Sequence, residues 1–380
     1  MQVTFPHLGN LWIPVKAFLS SLGHDVITPP PTTKRTLSIG AMHTPDGACL
    51  PLKVTMGNLI EAAELGADAI LMVGGIGPCR LGYYCELQRR ALARAGYSAQ
   101  LIVVEPPRSG LVQFAGVVRT IRRGAPFRQI LQASRLAWAK FQAVDALDQA
   151  ANTVRWREVS PGRLDACIRR GLALLDAAQT CDDVKDVTRQ TLHDVEGCID
   201  DSPHPAVRVG VVGEIYVVME PAVNMDVCRK LGRLGAQVVQ PLMFSSWIES
   251  HVVCDIARWI PRPDVMSWSR PYLRHFVGGH GVESVGHSVE MARSGLDGVV
   301  HIAPMTCMPE IVAGSILPSV GMAEHIPVIS LTVDEHTADV GFDTRLEAFV
   351  DLLSARASEE GRFPRDDGLC YNRAQGRWRH

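Results

Sequence analysis

Short, almost wholly apolar runs recur in both halves of the chain, and they confine it to one broad class of fold. They are Ala69-Ile70-Leu71-Met72-Val73, Leu101-Ile102-Val103-Val104, Val207-Arg208-Val209-Gly210-Val211-Val212, Gly298-Val299-Val300-His301-Ile302 and Val328-Ile329-Ser330-Leu331. Each is too short for a buried helix and rich in β-branched residues, so each reads as a strand covered on both faces. Helical patterns separate them, over residues 10–22, from Cys49 to about Leu65, and over 83–95, 222–234, about 245–258 and 343–356. Strands alternating with helices predict α/β architecture with doubly wound parallel sheets.

The two sets of strands predict two lobes, residues 1–107 and 203–358. Between them, residues 108–202 read as a helical segment, with long amphipathic stretches from Phe127 to Asp145 and Leu164 to Ala178. Asp200-Asp201-Ser202-Pro203-His204-Pro205 is the most linker-like stretch, and the Arg-rich residues 359–380 read as a disordered tail. The 380 residues carry a formal net charge of −2, which gives no reason to expect nucleic acid or an anionic membrane as partner. No apolar run approaches the ~18 residues that a bilayer span needs. The first residues lack the basic and apolar regions of a signal peptide, so a cytoplasmic location is expected.

Ten cysteines are many for such a chain, and without an export signal disulfides are not expected. Cys167, Cys181, Cys198, Cys228 and Cys254 sit among apolar neighbours in helical segments and read as packing residues. Cys370 falls in the tail. Two others form an echo, Cys49-Leu50-Pro51 and Cys307-Met308-Pro309, each opening a predicted helix. Proline suits a first helical turn, and a cysteine just before it faces free amides and the positive dipole end, which favour a thiolate. Cys79 lies in the loop Gly75-Ile76-Gly77-Pro78-Cys79-Arg80 after a strand. Three such thiolates could ligate a soft metal centre, in its sharpest form an iron–sulfur cluster held by loops of both lobes. The spacing matches neither ferredoxin runs nor a zinc ribbon. Cys85, six residues beyond Cys79, is either a fourth ligand or a packed thiol.

Ligands of open α/β sheets bind beyond the carboxyl ends of the strands, which brings in further residues. Glu214 follows one strand end and could act as a general acid or base, or bind loop amides. His336, in Asp334-Glu335-His336-Thr337, follows another and could serve proton transfer or helix capping. Arg80 would bring positive charge beside Cys79. Gly74-Gly75-Ile76-Gly77 does not match G-x-G-x-x-G, so a nucleotide site there is not favoured. His275, His280 and His287 read as loop histidines in a Gly-rich stretch.

Taken in order along the chain, these stretches resemble the iron–sulfur component family of 2-hydroxyacyl-CoA dehydratases, in its activase-related (CoA protein activase) branch. The matching segments are Ala48-Cys49-Leu50-Pro51-Leu52-Lys53-Val54, Gly77-Pro78-Cys79-Arg80-Leu81-Gly82-Tyr83, Gly213-Glu214-Ile215-Tyr216 and Thr306-Cys307-Met308-Pro309-Glu310. Asp334-Glu335-His336-Thr337-Ala338-Asp339 and Thr344-Arg345-Leu346-Glu347-Ala348-Phe349 complete the set.

The resemblance implies tandem flavodoxin-like or Rossmann-like lobes clasping an oxygen-sensitive [4Fe–4S] cluster. By motif match its ligands are Cys49, Cys79 and Cys307, and related members carry larger clusters. It further implies a separate dimeric ATPase activator that injects one electron, a related subunit or a second copy of the chain, and an acyl-CoA or other small molecule as substrate. The electron allows a ketyl radical to expel a hydroxyl group that acid–base chemistry alone cannot remove. No Asp-x-Gly-x-Thr ATPase signature occurs in the chain, so ATP hydrolysis falls to the partner. No basic cluster suited to a CoA pocket is evident. Two readings stand beside this one: an electron-transfer or cluster-carrying partner without its own substrate, and a structural protein whose cysteines are buried or bind zinc.

Overall fold

In the first part of the chain, the computed structural model builds a four-stranded, all-parallel sheet in the order β2-β1-β3-β4. Its strands are β1 (Gln2–Thr4), β2 (Asp25–Val26), β3 (Ala69–Val73) and β4 (Gln100–Val104). The structure describes residues 1–75, 77–105, 111–200, 207–250, 265–361, 370–372 and 377–379. Helices α1 (Trp12–Ser21), α2 (Lys34–His43), α3 (Leu50–Glu64), α4 (Leu81–Arg94) and α5 (Leu111–Arg122) accompany this sheet. The core is apolar and split by it. Val3, Phe5, Leu19 and Ile102 gather in one cluster, and Met56, Leu59, Ile70 and Leu92 in another.

Helices α2 and α3 approach until their backbones touch. A methyl group on Gly40 would meet the Lys53 carbonyl oxygen at 1.7 Å, and one on Gly57 the Thr36 carbonyl oxygen at 2.0 Å. A capping box between Thr33 and Thr36 starts α2. Thr36 Oγ1 also donates to Glu61 Oε2 at 2.7 Å, and Arg35 pairs with Glu61 at 2.9 Å.

The second sheet repeats the topology of the first, in the order β6-β5-β7-β8. Its strands are β5 (Val207–Gly213), β6 (Ala236–Val239), β7 (Gly298–Pro304) and β8 (Val328–Val333). Every residue of β5 and β7 is buried, as expected for central strands covered on both faces. Two doubly wound parallel sheets flanked by helices are therefore the architecture of this chain.

Helices α6 (Phe127–Val154), α7 (Arg163–Ala177) and α8 (Cys181–Glu196) fill the middle of the sequence. They do not make up a unit of their own. The chain divides into two compact units, Met1–Val144 with Leu172–Val187 and Trp247–Pro261, and Asp145–Gly171 with Thr188–Ser246 and Arg262–His380. Each of the three helices thus contributes residues to both units.

Around the second sheet lie α9 (Ile215–Met219), α10 (Val227–Arg233), α11 (Phe244–Ile248), α12 (Val265–Ser269), α13 (Gly281–Arg293), α14 (Met308–Ala323) and α15 (Asp339–Glu359). Helix α10 is shorter than the 222–234 expected, because Met225 and Asp226 take left-handed backbone, φ 57° and 60°, and turn the chain before it starts. The expected linker lies outside the described residues from Asp201 onward, as does the expected helix at about 245–258 beyond Ser250. In the segment read as a disordered tail, Cys370–Asn372 pairs antiparallel with Arg377–Arg379. Among the described residues no helix is long and apolar enough to cross a membrane.

The Gly-rich stretch near residue 280 corrects one expectation. His280 and His287 are not loop histidines: His280 is the N-cap of α13 and His287 lies within it, both buried. The glycines there serve close packing. A methyl group on Gly281 would meet the Pro309 carbonyl oxygen at 2.5 Å, and one on Gly286 the Val265 carbonyl oxygen at 2.3 Å. His287 Nδ1 is 2.9 Å from Glu290 Oε2 and His280 Nε2 is 3.7 Å from Glu283 Oε2. His275 lies in the preceding bend and is exposed.

Candidate functional site

The two Cys-x-Pro segments fold alike. Cys49 is the N-cap of α3 and Cys307 the N-cap of α14, both extended, with Pro51 and Pro309 at the second helical position. Both cysteines are 7 % exposed. An N-cap residue lies against the unpaired amides of the first turn, so each thiol sits where a negative sulfur is best tolerated.

In the first unit, Cys49 Sγ lies 2.6 Å from the Tyr84 hydroxyl and packs with Leu52, Met72 and Tyr84. Cys79 is half-buried in the loop between β3 and α4. The next residue ties that loop to the one before Cys49, because Arg80 Nη1 donates to the Gly47 carbonyl at 2.7 Å. The glycines of this loop bring it onto its own helix: a methyl group on Gly82 would meet the Gly75 carbonyl oxygen at 2.9 Å. Cys85 lies one turn into α4 and packs against the Cys49 cluster. Burial, with a smaller contribution from the Glu105 charge, pushes its thiol up to about 11.

In the second unit the corresponding turn follows β7. Thr306 takes left-handed backbone, φ 64°, uncommon for a β-branched residue and sustained only where the surroundings fix it. Cys307 N–H donates to the Pro304 carbonyl at 3.0 Å. Beside it, Gly213 has φ 149°, and any side chain there would strike the Ile302 carbonyl. This lets Glu214 N–H reach the Ile302 oxygen at 3.3 Å, so the ends of β5 and β7 are held side by side.

Glu214 is half-buried and caps α9, its Oε2 accepting from Val217 N–H at 3.0 Å. Both sequence readings of this residue thus meet in one geometry. Burial raises its carboxyl to about 7, against the backbone hydrogen bonds that lower it, and the Glu310 charge adds to the rise. An acid balanced at neutral pH is suited to proton transfer.

His336 is exposed. Its N–H donates to Asp334 Oδ1 at 2.9 Å in a turn closed by Thr337. The N-cap of α15 is Ala338, so the segment makes a self-contained turn and not a helix cap.

Sequence reasoning missed a polar cluster in the second unit. His301 on β7, Glu310 in the first turn of α14, Ser284 on α13 and Ser330 on β8 are linked by hydrogen bonds. The Glu310 charge contributes to the raised carboxyl of Glu214. The one sequence signal was a histidine interrupting an otherwise apolar strand.

Cys167 and Cys198, expected to pack, are buried and adjacent to one another, and burial raises the Cys167 thiol. They line a pocket of about 510 Å³ with Arg163, Arg170, His193 and Asp194, which shares no residue with the expected site. Cys228 is raised to about 12 by burial and donates to Gln240 Oε1. Cys254 lies outside the described residues.

As a metal centre, the donors have the right chemistry, soft sulfurs at helix N-termini, and Arg80 joins the Cys49 and Cys79 loops. Among the described residues, no group of three or more His, Cys, Asp or Glu is placed to hold one ion. No family model matches this chain, and no curated protein matches it.

Proposed function

We propose that this chain is an iron–sulfur protein in which Cys49, Cys79 and Cys307 supply thiolates to a [4Fe–4S] or larger cluster. In this reading it receives a low-potential electron from a separate dimeric ATPase and serves reductive or dehydration chemistry on an acyl-CoA or another small molecule. The observation that carries it is the matched placement of Cys49 and Cys307 as N-caps with proline two residues on. When bound, such a cluster supplies one-electron transfer. The protein's own groups would supply the rest. Glu214 is balanced to hold or release a proton near neutral pH, Arg80 fixes the two cysteine loops, and exposed His336 exchanges protons with solvent. Three cysteine ligands are favoured over four, because Cys85 packs inside α4 against the Cys49 cluster and does not open a helix as Cys49 and Cys307 do. That favours catalysis over plain electron carriage, since a three-cysteine cluster leaves one position open, as catalytic zinc sites do.

The test is anaerobic purification, iron and sulfide analysis, and EPR after dithionite reduction. Wild type would be compared with Cys49→Ala, Cys79→Ala, Cys85→Ala and Cys307→Ala. Cluster loss in all but Cys85→Ala is the expected result. Wild-type protein without iron or sulfide overturns the proposal, and loss in Cys85→Ala as well moves the reading to a four-ligand electron carrier.

A further inference from the structure

A chain of hydrogen bonds runs through the second unit from its sheet edge to the Cys307 helix. Strand β8 is the last in the sheet, and its Ser330 is exposed. In the parallel register His301 on β7 stands directly opposite Ser330, which puts both side chains on one face. Ser330 Oγ lies 3.0 Å from His301 Nδ1, and His301 Nε2 lies 2.9 Å from Glu310 Oε2. Ser284 Oγ donates to the same Oε2 at 2.9 Å. His301 is 1 % exposed, Glu310 and Ser284 0 %. Gly314 on α14 leaves room for the ring, with only ordinary contact at His301 Cε1.

One atom in this chain is left over. Glu310 Oε1 is buried and has no hydrogen-bond partner among the described residues. A glutamate at the third position of a helix commonly reaches back to the N-cap amide. Here the Cys307 amide bonds Pro304 instead, and the Glu310 carboxyl turns to the histidine. Leaving a buried carboxyl oxygen bare costs more than pairing it, so its retention points to a role in which something comes to it.

We propose that Ser330, His301 and Glu310 form a proton relay between solvent at the edge of the second sheet and the first turn of the Cys307 helix. The relay rests on the iron–sulfur reading only for the reaction that it feeds. With the ring neutral, Ser330 O–H donates to Nδ1 and Nε2–H donates to Glu310 Oε2, which leaves Oε1 as the one atom of the relay without a partner. The loaded carboxyl then carries its proton on Oε1. In one passage, Oε1 gives its proton to the group bound there and Oε2 takes one from Nε2. Nδ1 is refilled by the Ser330 hydroxyl, and that hydroxyl by water, which leaves the ring protonated on Nδ1 and the carboxyl on Oε2. Rotation of the ring and of the carboxyl then restores Nε2–H and Oε1–H before the next passage. One proton enters and one leaves, with no change in charge along the relay. Glu214 is a second acid in the same unit, its carboxyl raised mainly by burial. Dehydration consumes a proton as the hydroxyl leaves as water, and a buried acid supplies it only if it can be reloaded.

The relay is tested in the full chain with ¹⁵N-labelled histidine, the His301 ring signal being assigned by its loss in His301→Gln. Ser330→Val, at an exposed strand position, is expected to slow solvent exchange of the Nε2 proton by about tenfold or more, while Ser330→Thr keeps the wild-type rate. The far end is read by infrared spectroscopy on transfer to D₂O. A carboxylic-acid band lost in Glu310→Gln should exchange slowly in Ser330→Val and normally in Ser330→Thr. Wild-type exchange in Ser330→Val, or the absence of any such band, overturns the relay. Iron analysis reads separately: gated exchange in protein that binds no iron keeps the relay and removes the reductive chemistry.

Discussion

Cys49 Sγ and the Tyr84 hydroxyl meet at 2.6 Å in a buried cluster, so the sulfur at the N-terminus of α3 has a phenol as its immediate partner. A hydroxyl donating to a charged sulfur is worth about 1.5–3 kcal/mol. Tyr84→Phe keeps the ring and removes the donor. It is expected to slow reaction of Cys49 with a small thiol reagent by about tenfold, because the thiolate loses its partner. Mass-spectrometric labelling rates at fixed pH measure this, and equal rates in variant and wild type would remove Tyr84 from any role at that sulfur.

Glu214 sets a pH dependence of known sign. Its carboxyl stands at about 7 in the folded chain against an ordinary 4.5, mainly through burial. Between these values the folded state holds more protons than the unfolded one, so stability falls as pH rises through this window. Above about pH 7 the penalty levels off at no more than about 3 kcal/mol, less to the extent that water reaches the half-buried group. Glu214→Gln retains an oxygen for Val217 N–H and removes the ionisation. Urea midpoints at pH 5 and pH 8 should therefore differ less in Glu214→Gln than in wild type. Parallel midpoints in both proteins would contradict the assignment.

What the sequence could and could not reveal follows from where the information lies. The strands β3, β4, β5, β7 and β8 are apolar runs, and the N-cap cysteines are marked by a proline two residues on, so both are legible locally. Strand β1 has only three residues, too few to show a pattern. Helix α2 buries only Thr36 and Gly40, and is held by backbone contact at Gly40 and by Thr36, not by an apolar stripe. Helix α13 was hidden by glycines that look like loop residues and in fact admit close neighbours. The His301–Glu310 pair spans nine residues across a strand end and a helix start. It emerges only when the β7–β8 register sets His301 beside Ser330.

The α2–α3 contact makes a stability prediction that no apolar count would give. A methyl group at Gly40 or Gly57 would fall about 2 Å or less from a backbone oxygen, and backbone cannot move aside as a flexible side chain can. Gly40→Ala and Gly57→Ala are each expected to cost about 3 kcal/mol or more. Gly116→Ala, in α5 with nothing within 4 Å, is the control and should be neutral or gain up to about 1 kcal/mol from helix propensity. Chemical denaturation of the three variants separates the two cases. A Gly57→Ala protein as stable as wild type would mean that the two helices can part without loss.

A buried ion pair in the second unit supplies a sharper case. Arg155 and Asp165 meet at 2.8 Å with side chains 6 % and 9 % exposed, and Arg229 and Arg233 approach the same carboxylate at 3.5 and 3.8 Å. The Arg155 stem fills the space a side chain at Gly232 would need, its Cδ lying 2.7 Å from the position of a methyl group there. Removing the carboxylate strands a buried guanidinium, whereas replacing both partners by apolar groups removes the charge itself. Asp165→Ala is therefore expected to lose about 3–5 kcal/mol, and Arg155→Met with Asp165→Leu to recover most of that loss. The pair is then held by the penalty of separation more than by its own attraction. Denaturant titrations of the single and double variants decide it: a double variant no more stable than Asp165→Ala would show instead that the pair, with Arg229 and Arg233 around it, contributes net stability of its own.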